Sequence, residues 1–412
     1  NYRDNNDSQR VAIQSIHNNE ITVLQGPPGT SKTSTIYEII LQLVEVLHNF
    51  PISVVAASNI AIDNIAEKLM ENHEREILRI VSLEKESEYN LDHPLASICL
   101  HHKVFNDLPQ NMKETLKDMR DPRKKVLQNQ YKKLLQEQIR ISQKYVANAK
   151  VLFSTTVVSG GNQFKDIKKV PVIIMDEATQ SSEATTLIPL SIEGVEKFVF
   201  VGDQRQLSSF SQVPNLSLSL FERVLLNGTY RTPHMLDTQY RMHPAISDFP
   251  RKRFYNGLLK DGITAEHRKI DNIPGNPVFF WDTAEPQREQ FVKTKFREDR
   301  GYTYSNRGEV NDVTQVITQL IVEKGIKRCD IGVITPYRGQ RDLISSILVK
   351  NDVINPEKLD LKVEVDRDDI YNDSKPATIH TVNDIMIASI DAFQGSEVNF
   401  LFLSCVISNV VV

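Results

Sequence analysis

Short apolar runs without polar alternation recur along the chain. They are "ITVLQG" from Ile21, "ISVVAAS" from Ile52, "VLFSTT" from Val151 and "VIIMDEA" from Val172. Further along stand "KFVFVGD" from Lys197, "IGVITPY" from Ile331, "IMIASID" from Ile385 and "FLFLSCV" from Phe400. Runs rich in Val, Ile and Phe with no polar face predict strands buried on both sides. Helical spacing between them, as in residues 33–48, predicts βαβ units and a mostly parallel sheet, so the fold class is α/β. Several runs end in small or polar residues, which is where an open α/β sheet gathers its ligands.

Two stretches break this rhythm. Residues 82–149 hold no buried run, and Leu127, Tyr131, Leu134, Leu135 and Ile141 stand at roughly helical spacing among Lys, Gln and Arg. This predicts an inserted helical hairpin. Between Pro122 and Lys150 eight Lys or Arg accompany a single acid, Glu137. Two readings of that basic face stay open, a solvated surface or an arm that touches nucleic acid. Residues 261–303, rich in Pro, Gly and charge, predict loops with one strand near Phe279.

Length and composition narrow the picture. A chain of 412 residues exceeds one core and predicts two or three domains. No apolar run approaches the roughly 20 residues that a membrane span needs, and no leader opens the chain, so a soluble protein without membrane contact is expected. The chain starts at Asn1 rather than Met, which suggests an excerpt of a longer protein. Cys99, Cys329 and Cys405 lie far apart, so neither a disulfide framework nor a zinc site is indicated, and a reducing cytosol or nucleus fits. With a formal net charge of -4, any nucleic-acid contact must come from local arrangement. His101, His102, His243 and His267 show no metal-ligand spacing.

Three strand ends carry chemistry. "GPPGTSKT", comprising Gly26, Pro27, Pro28, Gly29, Thr30, Ser31, Lys32 and Thr33, follows a predicted strand and opens a predicted helix. It fits the phosphate-binding loop G-x-x-x-x-G-K-[ST] except that Ser31 replaces the glycine before the lysine. Loop N–H groups and the helix N-terminus favour an anion, Lys32 reaches the β/γ-phosphates, and the Thr33 hydroxyl suits Mg²⁺. Ser31, at the start of the helix, is expected in helical geometry. "VIIMDEAT" delivers Asp176 to hold Mg²⁺ through water and Glu177 to orient and deprotonate the attacking water. "FVFVGDQRQL" brings Gln206 to a third strand end, where it can contact the γ-phosphate or that water. Together these motifs specify hydrolysis of a nucleoside triphosphate.

In this order the motifs resemble the superfamily 1 helicases, in particular their Upf-like branch. The resemblance also rests on "SQRVAIQSI", "AASNIAIDNIAEKL", "STTVVSGG", "LDTQYRMHPAISDFPRKRFYNGLLKDG", "GVITPYRGQ" and "IASIDAFQGSE", and it covers nearly the whole chain. It implies two RecA-like domains, residues 1–235 with the helical basic insertion at 82–149, and residues 236–412. It further implies ATP as the nucleotide, with Gln9 reading the adenine edge, Tyr240 stacking on adenine and Glu397 near the ribose. Arg241 would be the arginine that the second domain supplies to the γ-phosphate. Ser58, Asn59, Thr155, Thr156, Pro336 and Tyr337 match segments lining a groove for single-stranded RNA or DNA, with Tyr337 placed to stack on a base.

From this resemblance a monomeric, cytoplasmic or nuclear ATP-dependent translocase follows, moving 5′ to 3′ among translation-termination or RNA-decay factors. Three departures support an alternative, a nucleic-acid-binding protein with weakened ATPase. Ser31 stands in the loop, Ser396, Val398 and Asn399 follow "FQG" in place of the usual residues, and Ile407 stands where an arginine is usual. The segment carrying the family's second arginine does not follow, so a second domain truncated at its C-terminus is expected.

Overall fold

The computed structural model describes residues 5–120, 127–165, 167, 169–209, 213, 217–270, 273, 275–282, 289–293, 302–365 and 378–407. They form two compact units, one reaching Thr264 and one starting at Ala265.

The first unit is built on seven strands: β1 (Ile21–Gln25), β2 (Ile52–Ala56), β3 (Ile77–Arg79), β4 (Val151–Thr155), β5 (Val172–Asp176), β6 (Lys197–Gly202) and β7 (His234–Met235). Their order is β3-β4-β2-β5-β6-β1-β7, and every pairing is parallel. The apolar runs are continuous because both sheet faces are covered. On β5, Ile174 packs with Ile36, Ile40, Ile62 and Ile65, whereas Ile173 and Met175 pack with Phe198, Phe200 and Phe221. Each such side chain contributes about 1.5–3 kcal/mol of burial. Since the strands are parallel, the turns after β1, β2, β4, β5 and β6 emerge along one edge of the sheet. That edge is where the sequence motifs lie.

Residues 236–264 pack within this first unit. The Leu236 N–H donates to the Gln25 carbonyl at 2.9 Å, and β8 (Thr238–Gln239) pairs with β9 (Lys260–Asp261).

The insertion is helical, with α4 (Leu100–Asp107), α5 (Gln110–Arg120) and α6 (Gln128–Asn148) following α1 (Asp7–Asn18), α2 (Lys32–Leu41) and α3 (Asn59–His73). Leu134, Ile141 and Val146 of α6 bury against Leu78, Ile80, Leu152 and Phe164, which docks the insertion on the outer edge of the sheet. Leu127, Tyr131 and Leu135, which share the predicted apolar spacing, are exposed. The basic face is partly neutralised: Arg140 pairs with Glu137 at 2.6 Å and Lys144 with Asp107 at 3.4 Å. Lys150 pairs with Glu76, while Lys132 and Lys133 are exposed without an ion pair among the described residues. Arg123, Lys124 and Lys125 lie outside the described residues.

The second unit has an antiparallel pair, β10 (Gln290–Lys293) with β11 (Tyr302–Ser305), and a five-stranded sheet. In that sheet β12 (Ile331–Thr335) runs parallel to β15 (Ile385–Ser389) and β16 (Phe400–Leu403), while β13 (Lys362–Val365), β14 (Thr378–Val382) and β15 are antiparallel neighbours. The sheet is thus mixed rather than wholly parallel. The reason is local: Asn383 and Asp384 both take positive φ, 44° and 69°, the requirement of a two-residue hairpin turn. Helices Arg307–Lys324 and Arg338–Lys350 cover one face through Val310, Ile317, Ile344 and Leu348.

Residues 276–282 form no strand, contrary to the expectation near Phe279. Phe279 and Phe280 are 77% and 86% exposed. Their side chains suit a strand, but a strand needs an edge to pair with, and no described strand pairs with them. β16 is likewise not buried on both faces, since Leu401 and Leu403 are exposed. No helix among the described residues is long and apolar enough to cross a membrane.

Candidate active site

β1 delivers the phosphate loop, and the Gly26 N–H ties it to the neighbouring strand by donating to the Gly202 carbonyl at 2.8 Å. Within the loop the Thr30 hydroxyl donates to the Pro27 carbonyl at 2.8 Å. Gly29 takes φ +76°, and a Cβ there would stand 2.7 Å from Cβ of Arg241, so both backbone conformation and close approach demand glycine. Ser31 is not in the helical geometry expected for it. Its φ and ψ are 60° and 43°, left-handed, and it caps α2 without a side-chain hydrogen bond. The glycine of the consensus would adopt this conformation freely, whereas a Cβ-bearing residue is held there at a cost of roughly 1–2 kcal/mol.

Lys32 folds back over the loop. Its Nζ donates to the Gly26 carbonyl at 3.1 Å and lies 3.4 Å from Oε1 of Glu177. Asp176 ends β5 and is buried, and the Glu177 N–H donates to its Oδ1 at 2.9 Å. Burial, reinforced by the adjacent Glu177 carboxylate, pushes the Asp176 carboxyl up to about 7. Glu177 itself sits at φ 45°, the second non-glycine residue of this site in the left-handed region. The Thr33 hydroxyl makes no hydrogen bond among the described residues. Lys32, Asp176 and Glu177 thus converge as the motifs predict.

Gln206 is placed by Asp203, a fully buried carboxylate after β6. Gln206 Nε2 donates to Asp203 Oδ2 at 2.8 Å and to the Gly26 carbonyl at 3.4 Å. Asp203 also accepts from Gln25 Nε2 at 3.1 Å, from the Arg205 N–H at 3.1 Å and from the Tyr255 hydroxyl at 2.6 Å. This hub joins the ends of β1 and β6 to the helix Pro244–Tyr255. The polar end of an apolar strand was a signal for Asp203; nothing in the sequence marked Tyr255.

The segment from Gln239 lies across the phosphate loop. The Tyr240 N–H donates to the Gly29 carbonyl at 2.8 Å. The buried Gln239 organises the turn, accepting on Oε1 from the Arg241 and Met242 N–H groups and donating from Nε2 to Met242 O and Asp261 Oδ1. Arg241 therefore belongs to the first compact unit, not to the second as the resemblance implies, and its side chain is exposed. Gln239 directly precedes Tyr240, and no pattern in the sequence marks it as buried. Beside the loop opens a cavity of about 400 Å³ lined by Gln9, Ser31, Ser34, Tyr37, Lys68 and Tyr240, among others. Gln9 and Tyr240, assigned to the base by resemblance, share this cavity. Asn6 bridges them, accepting from the Gln9 N–H at 2.9 Å and donating to the Tyr240 hydroxyl at 2.9 Å.

The residues assigned to nucleic acid divide between the units. Ser58 and Asn59 follow β2, Thr155 ends β4 and Thr156 follows it; Ala56 and Thr155 are registered neighbours. The Ser58 hydroxyl caps α3 by accepting from the Ala61 N–H at 3.2 Å. Asn59 is turned inward, its Oδ1 accepting from Arg79 at 2.6 Å, and does not face solvent. The Thr155 and Thr156 hydroxyls are buried without hydrogen-bond partners among the described residues. On the second unit Pro336 is exposed, and Tyr337 is half-buried with its ring edge-on to Tyr304 at 5.4 Å. Glu397 is exposed in the turns after β15.

A parallel sheet whose adjacent strand ends hold a phosphate loop, a DE pair and a buried Asp with its Gln partner defines a phosphate-loop nucleoside triphosphatase. Comparison with known proteins agrees. Residues 4–133 and 103–212 match a family model described as an AAA domain, and residues 216–411 match another of the same description. The chain is 48% identical over 98% of its length to "Putative ATP-dependent RNA helicase ECM32" of Saccharomyces cerevisiae, of which it covers 37%. It is 32% identical over 99% of its length to "ATP-dependent helicase NAM7" of the same yeast, covering 39%. Against "Regulator of nonsense transcripts 1 homolog" of Neurospora crassa it is 31% identical over 98% of its length, covering 34%. The chain belongs to the AAA-domain family, in its Upf-like superfamily 1 helicase branch. It spans little over a third of the length of these relatives.

Proposed function

We propose that this chain is the motor core of an ATP-dependent helicase that acts on single-stranded RNA or DNA. The observation that carries this reading is the Lys32–Glu177 pair, 3.4 Å apart over the phosphate loop and beside the buried Asp176. In the proposed reaction Lys32 exchanges Glu177 and the Gly26 carbonyl for the β/γ-phosphates, which frees Glu177 to take a proton from the attacking water. Gln206, held by Asp203, is the group that contacts the γ-phosphate or that water. Arg241, next to Gly29, adds positive charge at the transition state, and Gln9 and Tyr240 receive adenine. Glu397 is assigned to the ribose.

The donor set fits Mg²⁺. A buried carboxylate pushed up in pKa beside a second carboxylate is an acidic pair that Lys32 offsets only in part, and the Thr33 hydroxyl, without a hydrogen bond among the described residues, completes an all-oxygen set. Thr33 and Asp176 would hold the ion, which when bound neutralises phosphate charge.

Ser58, Thr155, Thr156, Pro336 and Tyr337 are assigned to the single strand, through strand-end hydroxyls and one aromatic ring. A cytoplasmic monomer working with RNA-decay or translation-termination factors is part of the proposal, carried over from the motif resemblance; one of the relatives is named as a regulator of nonsense transcripts. One observation favours a weaker motor: Ser31 holds a left-handed conformation in the loop itself. ATP hydrolysis by the whole chain, with and without oligo(rU) or oligo(dT), tests the reading. A rate above that of Glu177→Gln supports it, and a rate equal to that control leaves a nucleic-acid-binding protein without a motor.

A further inference from the structure

Arg79, at the end of β3, is fully buried and carries a network that the nucleotide site does not use. Its Nε donates to Asp63 Oδ1 at 2.8 Å, and its Nη2 donates to Asn59 Oδ1 at 2.6 Å and to the Tyr89 hydroxyl at 3.2 Å. Nη1 donates to the Ile80 carbonyl at 2.9 Å. The Tyr89 hydroxyl donates in turn to Asp63 Oδ2, and the guanidinium lies 5.3 Å from the centre of the Tyr89 ring. The side-chain partners come from two places. Asn59 and Asp63 lie in the first turns of α3, directly after Ser58, while Tyr89 lies in the first part of the insertion, ahead of its helices. Helix α4 of the insertion grips Tyr89 from its other side, since His101 and His102 of α4 both hydrogen-bond its carbonyl, at 3.0 and 2.7 Å.

A buried arginine that loses one partner leaves an uncompensated charge, so the network holds as a unit or shifts as a unit. We propose that Arg79 is a positioning residue for the single-strand groove. Through Asn59 and Asp63 it fixes the start of α3 beside the β4 end, and through Tyr89 it makes that position depend on the insertion. Asn59 then acts as a tether for the Ser58 turn, not as a nucleic-acid contact. This inference rests on the proposed motor function.

The test uses the full chain and two variants. Tyr89→Phe removes one hydroxyl and keeps the ring; Arg79→Lys keeps the charge but loses the fork. ATP hydrolysis is titrated with oligo(rU) and oligo(dT), and separately with ATP. The expected result for Tyr89→Phe, which loses both hydrogen bonds of that hydroxyl, is a rise of about fivefold or more in the oligonucleotide concentration for half-maximal stimulation, with a larger rise for Arg79→Lys. The KM for ATP and the unstimulated rate stay unchanged. The inference is overturned if half-maximal oligonucleotide is unchanged in both variants, or if both half-saturation values rise together with a falling Tm, which is what mere support of the fold would give. If the unmutated chain hydrolyses no ATP, or neither oligonucleotide stimulates it, the motor reading falls and this inference falls with it.

Discussion

The Lys32 ammonium stands 3.4 Å from the Glu177 carboxylate, both side chains largely withdrawn from water, at 15% and 12% exposure. Each side chain therefore occupies the other. Replacing Glu177 by Gln removes the proposed base and also releases the lysine from its ion pair. Hydrolysis is expected to fall about 10²–10⁴-fold while ATP binds as well as before or more tightly. Steady-state rates together with an ATP titration check both halves of this prediction. A variant that loses affinity along with rate would assign Glu177 to binding.

Ser31 caps α2 at φ 60°. Replacement by Gly should relieve strain in the folded loop, offset in part by the greater freedom of Gly in the unfolded chain, for a net gain of about 0.5–1 kcal/mol. Thermal unfolding should show the gain, and Ser31→Val should show a loss, because a β-branched residue fits this region worst. ATP affinity should change by less than about tenfold, because the loop N–H groups, Lys32 and Thr33 are intact in every variant. A larger recovery in Ser31→Gly would mean that Ser31 obstructs the phosphates.

His380 on β14 gives the second unit a defined pH response. The Ser345 hydroxyl donates to the Arg341 carbonyl at 2.8 Å, so Nδ1–H of His380 is the donor to Ser345 Oγ, also at 2.8 Å. Nε2 is then a buried lone pair, 3.9 Å from Asp342. Burial, with Arg341 next in effect and Asp342 opposing, pushes the imidazole down from 6.5 to about 4. The unfolded chain therefore takes up the proton near 6.5 and the folded chain only near 4. Stability contributed by the neutral ring is present above pH 6.5 and is lost as pH falls towards 4, by at most about 3 kcal/mol. Urea unfolding between pH 7.5 and 4 should show this loss, and His380→Gln should flatten it.

Tyr255 donates to the buried Asp203 that also holds Gln25 and Gln206. Tyr255→Phe keeps the ring in place and removes one of four donors to that carboxylate. The expected cost is about 1–3 kcal/mol of stability. A several-fold drop in kcat with KM for ATP unchanged should accompany it, because Gln206 loses part of its support. An unchanged kcat would confine Tyr255 to a structural role.

The first sheet was largely legible because its strands are buried on both faces, so that Val54, Val151 and Val172 each open an unbroken apolar run. β3 is only three residues long and its last residue is the buried Arg79, which hydropathy reads as surface. β14 alternates Ile379 and Val382 with Thr and His, and its hairpin turn rests on Asn383 and Asp384 without the glycine that usually marks one. In the site, residue types and strand ends located Lys32, Asp176, Glu177 and Gln206. Backbone conformation was beyond reach: Ser31 and Glu177 are left-handed because the fold around them imposes it. Side-chain direction was equally hidden, since Asn59 sits where a groove residue is expected and turns inward to Arg79.

The central claim is that this chain couples ATP hydrolysis to a single strand, and the direct measurement is its steady-state ATPase rate with and without oligo(rU) and oligo(dT), beside Glu177→Gln. The account predicts a basal rate above that variant and a further increase with the strand. A rate that matches Glu177→Gln under every condition would contradict it.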